Sequence, residues 1–184
     1  MATTLPQLLT AEEYLKLPDN GRPSELVRGQ VIEMNLPAPR HGKICLRIGA
    51  LLTNFVESHD LGHVVGNDSA IVTTRNPDSV RGADVAYYSY NRLRKGRLPD
   101  GYLTVVPELV VEVLSPDDRW SDVHTKTAEY LKAGVSIVCV VDPKTESVQV
   151  SYPDEPSRTF AKDAELTFPE ILFDFRVRVA KLFE

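Results

Sequence analysis

Two apolar, β-branched runs flank one amphipathic stretch in the middle of this chain, and that arrangement limits the folds open to it. The first run is PELVVEVLSP, residues 107–116. The second is Val135 to Val141, ended by Asp142-Pro143. Continuous apolar runs of this length read as strands covered on both faces. Between them, Val123, Thr127, Tyr130, Leu131 and Ala133 share one helical stripe from about Ser121 to Ala133, and Gly134 is its natural stop. Strand, helix, strand over so short a span predicts a right-handed crossover and parallel pairing.

The rest of the chain is read outward from that unit. Thr10-Ala11-Glu12-Glu13 is a capping box that opens a short helix stopped by Pro18. ELVRGQVIEM reads as two short strands turning near Arg28-Gly29. From Arg40 to about His59, Ile44, Ile48, Leu51, Leu52 and Phe55 recur at helical spacing. Strand-like segments follow at Ser69–Thr74, Ala83–Ser89 and Glu108–Ser115. Near the end, VQVSY and RTFA look like a hairpin, and VRVAKLF like a strand or short helix. The central order is helix, strand, strand, strand, helix, strand. With 184 residues and no linker or repeat, the expectation is a single α/β (α+β) domain over 1–184, a mixed sheet with helices packed on it.

No window approaches the roughly 18 uninterrupted apolar residues of a membrane span. The N-terminal MATTLPQLLTAEEYL lacks a basic lead and an apolar signal core, so a cytoplasmic protein is expected. Cys45 and Cys139 lack any paired-ligand spacing and read as buried free thiols. A net charge of −5 argues against coating nucleic acid by overall positive charge, but not against a local patch. Two basic clusters are candidates for phosphate contact: Arg92, Arg94, Lys95 and Arg97, and Arg40, Lys43 and Arg47 around a helix start.

Three residues stand where packing would not put them. Glu112 interrupts the apolar run 107–116, Asp84 interrupts RGADVAYYS, and Lys126 lies on the edge of the inward stripe, between Val123 and Tyr130. A stranded carboxylate costs several kcal/mol unless it is paired or holds a cation. Two carboxylates from adjacent strands can hold a hard divalent ion, and Mg²⁺ suits an incomplete cage because it keeps waters and accepts phosphate oxygens. A nearby lysine can orient attacking water and offset developing charge. Two acids, one lysine and a metal make a phosphodiester-cleaving site. The competing reading, an Asp84–Lys126 structural ion pair, is favoured for any lone buried acid; the trio together favours chemistry.

In this order and with these residues the chain resembles the PD-(D/E)XK restriction-endonuclease-like superfamily. It is more closely similar to the Uma-type family of bacterial restriction-endonuclease candidates. The resemblance rests on TAEEYLKLP, ELVRGQVIEM, PRHGK, GADVAYYS, PELVVEVLSPDD, DVHTKTAEYLKAGV and VVDP, roughly residues 8 to 152. It implies a restriction-endonuclease-like mixed sheet with core order αβββαβ, Asp84 and Glu112 as metal ligands, and Mg²⁺ or Mn²⁺ as cofactor. Leu114 stands where the superfamily's lysine belongs, and the family's migrated lysine corresponds to Lys126. Glu25 and His41 match auxiliary positions. The implied function is a metal-dependent endonuclease acting on nucleic acid, DNA before RNA, as a homodimer that gives each strand its own site. The alternatives are a catalytically inactive binding module of the same fold, which Leu114 favours, and an acid–base hydrolase of the glycosidase kind, which a single Trp120 disfavours.

Overall fold

A computed structural model describes residues 8–18 and 20–184; residues 1–7 of the N-terminal stretch lie outside them. Helix α1 (Ala11–Tyr14) has the expected capping box, with Thr10 and Glu13 serving each other's backbone N–H. Strands β1 (Ser24–Val27) and β2 (Gln30–Glu33) form a hairpin whose turn, Arg28-Gly29, has positive φ at both residues, as a tight two-residue connection requires. Helix α2 (Pro39–Ser58) follows, then β3 (Gly62–Thr74), β4 (Ser79–Ser89) and β5 (Leu109–Val113). Helix α3 (Trp120–Ala133) ends at Gly134 in the left-handed conformation and leads to β6 (Ile137–Asp142). Strands β7 (Ser147–Ser151), β8 (Arg158–Phe160), β9 (Glu165–Phe168) and β10 (Leu172–Arg178) and a 3₁₀ turn at Val179–Leu182 complete the described chain.

Eight strands form one sheet in the order β2-β1-β4-β5-β6-β7-β8, with β3 alongside β4; β9 and β10 make a separate hairpin. The β5–β6 pair is parallel, from Leu109 opposite Ile137 to Val113 opposite Val141, and α3 supplies the crossover. All other neighbours among the described strands are antiparallel.

The sheet is covered on both faces. Ile44, Ile48, Leu52 and Val56 of α2 pack with Val85, Tyr87, Val111, Val113, Cys139 and Val141. On the opposite face Tyr130 of α3 packs with Ala83, Ala86, Tyr88, Val110, Val138 and Val140. Tyr87 and Tyr88 are therefore core, as their strand alternation suggests. The apolar material after Asp142 is used within the chain. Leu166, Phe168, Leu172, Phe175, Val177 and Val179 are buried against the α2 cluster. Among the described residues, no helix is long and apolar enough to cross a membrane.

Two irregularities position the site. Along one edge, β4 is paired with β3 on both sides of Asp84. On its other edge it meets β1 only at Val80–Leu26 and β5 only from Val85 to Tyr87. Between those contacts β1 and β5 diverge, leaving Arg81–Asp84 facing a fork. Opposite the fork, β3 carries a bulge at Asn67-Asp68, both with positive φ. There the side-chain alternation of β4 slips: Ala83 belongs to the α3-side core and Val85 to the α2-side core, with Asp84 at the switch. Bulges re-aim side chains in this way.

Candidate active site at the strand fork

Asp84, Glu112 and Lys126, three residues distant in sequence, converge on the fork. Lys126 reaches from α3 to Glu112 Oε2, Glu25 Oε1 and the Gly82 carbonyl, each at 3.0 Å. Those contacts use all three ammonium protons. Glu112 Oε1 accepts from the Tyr130 hydroxyl at 2.8 Å. Gly82, which has no strand opposite it on this edge, donates its N–H to Glu25 Oε1 at 3.0 Å, and its carbonyl takes Lys126 and Tyr130. Side chains thus complete hydrogen bonds that a sheet ladder would have made.

Asp84 closes the fork from the other strand. Its Oδ2 accepts the Val113 N–H at 2.7 Å, just beyond the last β4–β5 pair, and lies 3.3 Å from His41 Nε2. His41 is in the first turn of α2, and Cys45 Sγ, one turn on, is 3.4 Å from its Nδ1. The His41 ring also faces the Val113 carbonyl.

Electrostatics follow from the crowding of acids. Burial pushes Glu112 up to about 7, with Asp84 adding to the rise and Lys126 and Tyr130 opposing it. Partial burial, then the Asp84 charge, raise Asp68. Burial would raise Glu25 as well, but Lys126 and Arg81 hold it below the ordinary carboxylate range. Lys126 is raised despite its burial, because Glu112 and Glu25 flank it, so it remains an ammonium. The Asp84 hydrogen bond raises His41.

The sequence-derived candidates fare differently. Asp84, Glu112, Lys126, Glu25 and His41 are brought together. Arg40 and Lys43 flank His41 on exposed positions at the same end of α2, Arg40 lying 3.7 Å from Glu146. The cluster at 92–97 does not join them. Lys95 pairs with Asp60 at 2.5 Å, beyond the far end of α2, about 26 Å along the helix axis from His41. Arg92 is occupied as a strut, donating to the Val106, Pro107 and Gly134 carbonyls and to Ser136 Oγ. Arg97 lies near Asp100, and Arg94 is exposed on the same remote loop. Adjacency of basic residues in the sequence carried no information about which end of the sheet they occupy.

Glu129 belongs on the solvent side by helical spacing, with Thr125 and Lys132. Instead it accepts from Arg81 at 2.6 Å and from Thr73. Arg81 also donates to Glu25 Oε2 at 2.9 Å, which ties the helix to β1 and β4. Asp68, Cys45, Arg81 and Tyr130 are members of the site that the sequence reading missed. A visible signal existed for two of them: the polar pair Asn67-Asp68 interrupts a strand, and Arg81 stands three residues before Asp84 in RGAD.

No curated protein matches the chain significantly. Among solved structures, it is similar to one described as a putative nuclease of the DUF820 group from Anabaena variabilis. The TM-score is 0.82 at 22% identity, covering 95% of this chain and 97% of that one. At that identity the likeness establishes the shared fold. The profile of the Uma2 family, described as "Putative restriction endonuclease", matches residues 11–180, nearly the whole chain. With a restriction-endonuclease-like order of elements and acids gathered at the fork of its sheet, the chain belongs to the Uma2 family.

Proposed function

We propose that this protein is a Mg²⁺- or Mn²⁺-dependent endonuclease, one domain carrying the site, acting on DNA in the cytoplasm. The observation that carries this reading is a charge imbalance. Five carboxylates, Glu25, Asp68, Asp84, Glu112 and Glu129, surround two permanent cations, Lys126 and Arg81. A half-buried site with surplus acid, one member of it raised to about 7, is built to take up positive charge.

The donors fit a hard divalent cation: the carboxylates of Asp84 and Glu112, with the Val113 carbonyl beside them. When bound, the ion would neutralise phosphate charge and leave positions for water and substrate oxygens. The remaining work falls to the chain. Tyr130 fixes the orientation of Glu112, and Val113 N–H and His41 fix that of Asp84. Lys126 is held as an ammonium and so cannot be a general base. Exchanging one of its three acceptors for water would place that water against Glu112. Leu114 lies on the Glu112 face of β5, packed in the cluster that contains Val123 and Leu131 of α3. The position of the missing lysine and Lys126 therefore share one side of the sheet.

Substrate phosphates would meet the start of α2. Arg40 and Lys43 are exposed there, and Ala38 offers no capping side chain to its free N–H groups. A two-fold dimer would present one site to each strand, and sedimentation equilibrium at tens of micromolar would expose a monomer. The saturated hydrogen bonding of Lys126 favours one rival, a binding module of the same fold that has lost catalysis.

The deciding experiment incubates full-length protein with single- and double-stranded DNA and RNA across Mg²⁺, Mn²⁺ and chelator, and follows melting in parallel. The expected result is metal-dependent cleavage and stabilisation of about 2.7 kcal/mol at a hundred times Kd. Stabilisation without cleavage would assign the binding module. Identical melts with and without millimolar metal would remove the cation site.

A further inference from the structure

His41, Cys45 and Asp84 form a second grouping whose ligand chemistry differs from that of the acids around Lys126. One atom from each lies within 4.8 Å of the others. His41 Nε2 is 3.3 Å from Asp84 Oδ2 and 4.0 Å from Cys45 Sγ. Bond lengths of about 2.0–2.3 Å to nitrogen, oxygen and sulfur place tetrahedral ligands about 3.3–3.6 Å apart. The imidazole–carboxylate edge already has that length, whereas Cys45 Sγ lies beside the ring, 3.4 Å from Nδ1, and has to turn about its Cα–Cβ bond to face the ion. His41 and Cys45 are separated by one turn of α2, so both side chains leave the same face of the helix toward β4.

We propose that these three residues are a thiophilic cation site that takes Zn²⁺, and that its occupation withdraws Asp84 from the Mg²⁺ ligand set. Sulfur and imidazole suit zinc and its neighbours and are poor ligands for magnesium, so the two groupings divide by softness and share one carboxylate. Binding is charge-balanced. The Cys45 S–H gives its proton to solvent, as does the imidazolium that Asp84 favours at His41; the thiolate and the Asp84 carboxylate then offset the 2+ charge, and the neutral imidazole donates a lone pair. Three protein ligands leave the fourth position open. Cys139, fully buried in the sheet, has no such neighbours and serves as the internal control.

The spectroscopic test is independent of the nuclease reading. Metal-free full-length protein is titrated with Co²⁺, followed by its thiolate-to-cobalt charge-transfer absorption, and Zn²⁺ affinity is measured by displacement. The expected result is one ion per chain with that absorption, proton release on binding, and an unchanged spectrum in Cys139→Ser. In Cys45→Ser and Cys45→Ala the band should vanish and Zn²⁺ should bind at least about 10–100-fold more weakly, the loss that even supporting groups of a metal site produce. Having both variants guards against one failing to fold. Glu112→Gln should keep the band. Absence of the band in the wild type, or its persistence in both Cys45 variants, overturns the proposal. Where cleavage is measurable, micromolar Zn²⁺ should inhibit the Mg²⁺-dependent reaction of the wild type and spare Cys45→Ser. Equal inhibition of both would overturn the competition for Asp84, whatever the spectra show.

Discussion

At Glu112 two demands compete. Burial favours the protonated acid, while Lys126 and Tyr130 favour the carboxylate, and burial wins far enough to bring the group to about 7. The sign for stability follows from proton counting. Between its unfolded value near 4.5 and about 7 the folded state holds more protons, so stability falls as pH rises through that window and is level above it. In the absence of divalent metal, Glu112→Gln should therefore melt above wild type at pH 8, by at most about 3 kcal/mol, with the difference closing by pH 4. Melts across that range check it; a constant or reversed gap would show that the Lys126 attraction dominates. Metal should reverse the ranking at pH 8, because only the ionised wild type can bind it.

Lys126 belongs to the same scale. Lys126→Ala should lower cleavage by about 10²-fold or more while metal-dependent stabilisation survives, and Lys126→Arg should rescue only in part, since a planar fork replaces a compact ammonium. Single-turnover assays beside melts separate the two effects. Leu114→Lys in the Lys126→Ala background should recover some rate, because position 114 opens on the Glu112 face.

Among the elements, the bulge in β3 and the fork beside β4 act together. Asn67-Asp68 brings an acid toward the site, and Gly82 lets that bulge approach. A Cβ at Gly82 would stand 3.0 Å from Asp68 Cβ and 3.1 Å from its carbonyl oxygen. Gly82→Ala should push the bulge away, costing about 1–2 kcal/mol and several degrees of melting temperature. It should also lower cleavage, since the Gly82 carbonyl helps to hold Lys126. Thermal melts and rates of the variant check both, and wild-type behaviour would show that the bulge yields freely. Helix α3 contributes a second linkage: Glu129 and Lys126, three residues apart, engage Arg81 and Glu25, so the crossover helix is pinned across the fork by ion pairs as well as by Tyr130.

For the whole molecule the question is how a chain of net charge −5 approaches a polyanion. The basic residues divide between the two ends of α2. Those at 92–97 lock a loop or pair with acids at the end remote from the fork, whereas Arg40 and Lys43 stand beside it. Neutralising Arg40 and Lys43 together should flatten the log–log salt dependence of binding by about two units, and neutralising Arg94 and Arg97 should leave it unchanged. Binding isotherms at several salt concentrations decide this. A loss of slope from the second pair alone would return the remote loop to the interface.

Local pattern alone determined most of the elements and the parallel β5–α3–β6 unit. Periodicity, the capping box at Thr10 and the stop at Gly134 are short-range signals, and the two apolar runs admitted little besides a crossover. That Asp84, Glu112 and Lys126 would each find a partner was legible for the same reason: a charge in an apolar pattern needs one. Strand β9, short and next to a loop, left too little pattern to recognise. Tertiary structure decided what local pattern could not carry. Whether Glu129 faces water or Arg81, whether Arg92 meets phosphate or four chain atoms, and whether the C-terminal apolar residues cover a partner or their own α2 depend on contacts 14 to more than 100 residues away. The fork itself has no sequence signal, because it arises where two strands distant in the chain share one edge of a third and then part, leaving backbone groups that only side chains from elsewhere can satisfy.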